Sequence, residues 1–77
     1  MPSLPAISGR ELIKLLLADG WEIVRRGNHG IFLQKETRTT VVKDTTASLP
    51  IGTLQSILGP KQTALGREGL VKLLRRR

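Results

Sequence analysis

The sequence predicts an α+β fold in the order α-β-β-β-α. A three-stranded antiparallel sheet carries helices on one face, and an extra helix follows at the C-terminus. Three observations predict it. An apolar helical stripe follows a capping signal at Ser8, three short strand-like segments fall between residues 21 and 43, and a second helical stripe begins near Leu54. The chain has 77 residues, enough for one domain over 1–77. Residues 1–7 hold two prolines and no periodicity, and are expected to be a loose lead-in.

The first helix is predicted from Ser8-Gly9-Arg10-Glu11, a capping box in which the Ser hydroxyl and the Glu carboxylate satisfy exposed amides. Leu12, Ile13, Leu16 and Leu17 then form one apolar face, which is expected core. Asp19-Gly20 ends the helix, with Gly20 suited to a left-handed cap. Residues 21–26, Trp-Glu-Ile-Val-Arg-Arg, read as a strand rich in aromatic and β-branched types. Gly27-Asn28 marks a turn, and residues 29–35 read as its antiparallel partner. Glu36-Thr37-Arg38 reads as a polar turn, and residues 39–43 as a third strand.

Residues 44–48 form a polar loop. Leu54, Ile57 and Leu58 then mark a helix whose first turn tolerates Pro50, because a helix leaves its first amides unpaired in any case. Gly59-Pro60 should stop it. Residues 61–66 are ambiguous. Leu70, Val71, Leu73 and Leu74 form a short amphipathic stretch, and Arg75-Arg76-Arg77 is expected to be a solvated basic tail. The overall order is that of double-stranded-RNA-binding domains, a likeness of fold alone.

Composition excludes several classes. There is no cysteine, so neither a disulfide framework nor a thiolate metal site can form. One histidine and six carboxylates give little basis for a zinc or iron site, so no metal and no cofactor is expected. No apolar run approaches the ~20 residues a bilayer demands. The N-terminus also lacks the pattern of a signal peptide. The chain is therefore read as cytoplasmic, with no membrane partner. Thirteen Lys and Arg against six acids give a net charge of +7 and a pI near 11.3. Such charge attracts polyanions, though acidic proteins would answer to it as well. Trp21 and Phe32 are the only aromatic residues, too few for a row of base-stacking side chains, and both are read as packing residues.

The strongest chemical candidate is the run Arg25-Arg26-Gly27-Asn28-His29. A histidine at a hairpin edge can act as acid or base near neutral pH, since its ordinary pKa is about 6.5. Neighbouring cations favour the neutral imidazole, ready to take a proton. RNA carries an internal nucleophile, the ribose 2′-hydroxyl, so a base together with cations that hold the phosphate would suffice for strand cleavage. A histidine that merely hydrogen-bonds a neighbour is the competing reading.

Asp19-Gly20-Trp21, then Arg26-Gly27-Asn28-His29-Gly30-Ile31-Phe32, then Leu49-Pro50-Ile51-Gly52-Thr53-Leu54-Gln55-Ser56-Ile57-Leu58 resemble the HicA toxin family over about residues 8 to 58. The resemblance implies a double-stranded-RNA-binding-like fold and an mRNA interferase, a metal-independent endoribonuclease with one catalytic histidine, His29. It also implies a HicB-like antitoxin partner that covers the site. On this basis His29 is the general base, and Gly27 and Asn28 shape the turn that presents it. Arg25, Arg26 and Lys35 are added as phosphate contacts from charge and position. The sequence departs from the family pattern at three places. Asn28 stands where serine is common, Lys43-Asp44-Thr45 stands where a second histidine is frequent, and Gly59-Pro60 interrupts a helix that usually runs on.

Two other readings compete. One is a non-catalytic RNA-binding module of the same fold. The other is a subunit of a toxin–antitoxin complex that represses its own operon. No recognition helix is evident, so direct DNA contact is expected only through the antitoxin.

Overall fold

The computed structural model describes residues 6–28 and 30–76, with the side chain of Arg76 excluded. Its elements are α1 (Gly9–Ala18), β1 (Glu22–Gly27), β2 (Gly30–Lys35), β3 (Arg38–Val42), α2 (Ile51–Leu58) and α3 (Gly66–Arg76). The strands form one antiparallel sheet in the order β1-β2-β3. The predicted fold class is the observed one.

The Ser8 half of the capping box and the Gly20 cap predicted for α1 are present. The Glu11 amide donates to the Ser8 hydroxyl oxygen at 3.2 Å. At the other end Gly20 takes φ 99, its amide donates to the Leu17 carbonyl, and the Trp21 amide reaches back to the Leu16 carbonyl. This is the paired bonding of a Schellman cap, and it turns the chain sharply into β1.

The apolar face of α1 differs in one member from the sequence reading. Leu12, Ile13, Leu15 and Leu16 are buried, whereas Leu17 is 42% exposed. At roughly 100° per residue, Leu15 lies on the far flank of the Leu12–Leu16 stripe, and Leu17 falls just outside it beyond Ile13. The lead-in is also less loose than expected at its end. Ile7 is buried, its carbonyl accepts from the Leu49 amide at 2.8 Å, and Ser8 bridges Ser48.

Side chains alternate cleanly along β2 and β3. Ile31, Leu33, Thr40 and Val42 are buried beneath the helices, while Gln34, Thr39 and Val41 face outward. Ile31, Leu33 and Val42 join Leu12, Leu16, Leu54, Ile57 and Leu70 in a single core. Burial of each large aliphatic side chain contributes about 1.5–3 kcal/mol, so this one cluster dominates the stability of the fold.

The β2–β3 connection is tighter than predicted. Arg38 pairs with Lys35, leaving only Glu36 and Thr37 to turn the chain, and Glu36 adopts φ 57. Two-residue hairpin loops demand such left-handed residues.

Gly59-Pro60 ends α2 as expected. The ambiguous segment after it is clamped under β3. The Arg38 guanidinium donates to the Pro60 carbonyl at 2.9 Å, and the Thr40 hydroxyl donates to Gln62 Oε1 at 2.6 Å. The buried Thr63 hydroxyl donates to the Ile57 carbonyl at 2.7 Å. Thr63→Val keeps the shape and removes this bond, and should lower stability by about 1 kcal/mol in a denaturant titration. In the same segment exposed Ala64 adopts φ 56. Ala64→Gly relieves that conformation and should leave the thermal midpoint unchanged or raise it.

The C-terminal arginines are not wholly a tail. α3 continues through Arg75 to Arg76, and Arg77 lies outside the described residues. Arginine is a good helix former, and positive charge at a helix C-terminus is favoured by the macrodipole. Leu70 and Leu73 bury α3 against the core, and α3 packs on α2. Among the described residues, no helix is long and apolar enough to cross a membrane.

Candidate functional site

The β1–β2 turn is built by glycines at close quarters. Gly27 pairs with Gly30, so two residues connect the strands. Gly30 has φ 141, which only glycine adopts without strain. A Cβ there would stand 2.7 Å from the Val42 carbonyl oxygen and 3.1 Å from the Lys43 Cα. The end of β3 therefore presses directly on the start of β2.

From the other side α1 presses on the same point. A Cβ on Gly9 would overlap the Lys43 carbonyl oxygen. The Arg10 amide donates to the Thr45 carbonyl at 3.0 Å, and the Arg10 guanidinium bonds the Asp44 carboxylate at 3.1 Å. The Lys43–Thr45 segment thus joins the start of α1 to the β1–β2 turn.

Charge is distributed unevenly around this turn. A bulge at Val24 shifts the register, so Arg25 pairs with Phe32 and Arg26 with Ile31. Directly opposed residues share a face. Arg25 accordingly lies on the open face of the sheet, and exposed Arg26 lies at the edge of the helix-covered one. The Arg25 guanidinium sits over the Phe32 ring, 5.1 Å from its centroid. Exposed Lys43 lies one position beyond the Ile31–Val42 pair, across from Gly30. Three cations therefore surround the turn. Asn28 is exposed within it, and His29 lies outside the described residues.

Lys35 is not brought to this place. It sits at the opposite end of β2, where its ammonium donates to the Asp19 carbonyl at 2.8 Å and approaches the Asp19 carboxylate at 3.3 Å. Its surroundings make it a clasp between the end of α1 and the hairpin. Lys35→Ala should cost no more than about 1 kcal/mol, because such partly exposed pairs contribute little. RNA affinity should fall no further than loss of one distant charge explains, as read by salt-dependent binding.

Two residues at the turn are not singled out as site residues by the sequence pattern. Lys43 becomes a neighbour of Gly30 only once the β2–β3 register is fixed. Phe32 sits in a continuous apolar run whose alternation does not reveal its face. The structure places it half-buried on the open side, with its ring edge against Gly27.

A family model for the HicA toxin of bacterial toxin–antitoxin systems matches residues 9–65. The chain belongs to the HicA toxin family. No curated protein and no solved structure matches it. The HicA match takes in α1, the glycine turn and the whole of α2, while α3 lies beyond it. Membership makes the chain a toxin-type protein and implies pairing with an antitoxin. The glycine positions now have structural reasons: Gly30 and Gly9 admit β3 and its exit, and Gly27 admits Phe32.

Proposed function

We propose that this chain is an endoribonuclease toxin that cleaves mRNA without a metal ion, with His29 as its catalytic base. The observation that carries this reading is the HicA family match over the entire β1–β2 turn. The cations around that turn support it, since RNA cleavage develops negative charge on the phosphate.

The chemistry is a transesterification. His29 takes the proton of a ribose 2′-hydroxyl, and the 2′-oxygen attacks the adjacent phosphorus. The bond from phosphorus to the 5′-oxygen breaks, and that oxygen leaves with a proton returned by the imidazolium. The products are a 2′,3′-cyclic phosphate and a 5′-hydroxyl. Arg25, Arg26 and Lys43 supply positive charge to the bound strand, and Gly27 and Asn28 set the shape of the turn. A HicB-like antitoxin that covers this turn would hold the toxin inactive, and the mRNA substrate places the activity in the cytoplasm.

The test is a single-stranded RNA beside the same sequence bearing 2′-O-methyl groups, each incubated in EDTA. Cleavage of the RNA to cyclic-phosphate ends, with the methylated strand intact, is the expected result. Scission of the methylated strand, or a strict need for Mg²⁺, would overturn the mechanism. Tight RNA binding with no scission of either strand would favour a non-catalytic RNA-binding module, a reading that the Lys43-Asp44-Thr45 segment supports because it lacks the second histidine.

A further inference from the structure

We infer that Arg25 stacked on Phe32 forms a nucleobase platform on the open face of the sheet, gripping a base of single-stranded RNA beside the β1–β2 turn. The inference rests on the reading of that turn as an RNA site, and it gives Arg25 a different task from the phosphate contact expected of it.

Four observations carry it. The Arg25 guanidinium lies over the Phe32 ring, 5.1 Å from the centroid, and among the described residues no carboxylate pairs with it. A guanidinium held over an aromatic ring is restrained in advance, and Arg25 is exposed, so a further flat group can reach it. Second, the surface around it is open. On this face the next cross-strand pair toward the turn is Gly27 with Gly30, which carry no side chains, and the Phe32 ring leans onto Gly27. Third, Val41 on the far side of Phe32 and bulged Val24 beside Arg25 are exposed at 37% and 55%. They extend an apolar floor suited to the face of a base rather than to a phosphate.

Fourth, charge at this end favours a polyanion. Lys43 lies across from Gly30 beside the platform, Arg26 adds charge from the edge of the opposite face, and Asp44, next to Lys43, is held by Arg10. Arg25 and Phe32 stand two strand residues from the paired glycines, about 7 Å along the strand, which is the scale of one nucleotide. A base on the platform would therefore adjoin the phosphate at the turn. Stacking of this kind tolerates any base and adds affinity without reading sequence.

The test uses the full chain and two fluorescent probes of equal length, a 2′-O-methyl oligoribonucleotide and its abasic sugar-phosphate counterpart. Neither can undergo attack by a free 2′-hydroxyl in the manner proposed, if the abasic probe is 2′-O-methylated too. Binding by anisotropy therefore does not depend on cleavage. The wild type should bind the base-bearing probe about tenfold more tightly or better. Arg25→Lys keeps the charge and loses the plane, so it should erase most of that preference while preserving affinity for the abasic strand. Phe32→Leu should do the same, with circular dichroism confirming its fold.

An undiminished preference in Arg25→Lys would overturn the platform, as would equal binding of both probes, or of neither, by the wild type. The ribonuclease reading stands or falls separately. Scission of unmodified RNA without base preference refutes the platform alone, and base preference without scission refutes the ribonuclease alone.

Discussion

Gly30→Ala is expected to lower stability by about 2–4 kcal/mol, read as a fall of more than about 10 °C in the thermal midpoint. A fold of this size holds roughly 4–12 kcal/mol in total, so the loss is severe. Two costs combine. Gly30 sits at φ 141, and its missing side chain is where the Val42 carbonyl approaches, 2.7 Å from an added Cβ. Backbone, unlike a flexible side chain, cannot swing aside. Gly9→Ala should behave similarly despite the better helix propensity of alanine, because the added methyl meets the Lys43 carbonyl. Gly52→Ala is the control: nothing lies within 4 Å of an added Cβ there, and its midpoint should hold or rise. A Gly30→Ala protein melting within a few degrees of wild type would refute the packing described for the turn.

The second large effect is chemical. His29→Ala should reduce RNA cleavage by about a hundredfold to ten-thousandfold, the usual contribution of a positioned general base. Its thermal midpoint and RNA affinity should change little. Because the base must be neutral to accept a proton, the wild-type rate should rise with pH from the acid side. His29→Ala should lack that rise.

Much of the fold was legible because local chemistry and tertiary structure agree. Ser8 and Gly20 carry cap signals of α1, and the Ser8 hydroxyl accepts from Glu11 while the Gly20 and Trp21 amides bond back to Leu17 and Leu16. The Gly27-Asn28 turn and the β-branched strands likewise announce a hairpin. What escaped the sequence depends on residues far apart in the chain. Leu15 rather than Leu17 is buried because the covered arc of α1 runs from Leu15 through Leu12 and Leu16 to Ile13, and only packing against the sheet fixes which arc that is. Arg38 joins β3 because a two-residue turn brings it opposite Lys35.

The candidate site was legible in part for the same reason. Simple alternation from Ile23 would place Arg26 on the open face and Arg25 on the other. The bulge at Val24 exchanges them, and only the strand register reveals it. Lys35 carries the right charge, yet it is drawn to Asp19 at the other end of β2. Lys43 carries no motif of its own and reaches the turn through the pairing of β2 with β3. The Gly27-Asn28-His29-Gly30 run signals a place for chemistry, but which cations lie near it is a property of the sheet.

The most direct test of the central claim is cleavage of an end-labelled single-stranded RNA in EDTA by wild type and His29→Ala, both confirmed as folded by circular dichroism. Scission by the wild type alone, leaving a 2′,3′-cyclic phosphate, is expected. Equal scission by the two proteins, in preparations free of contaminating nuclease, would contradict it.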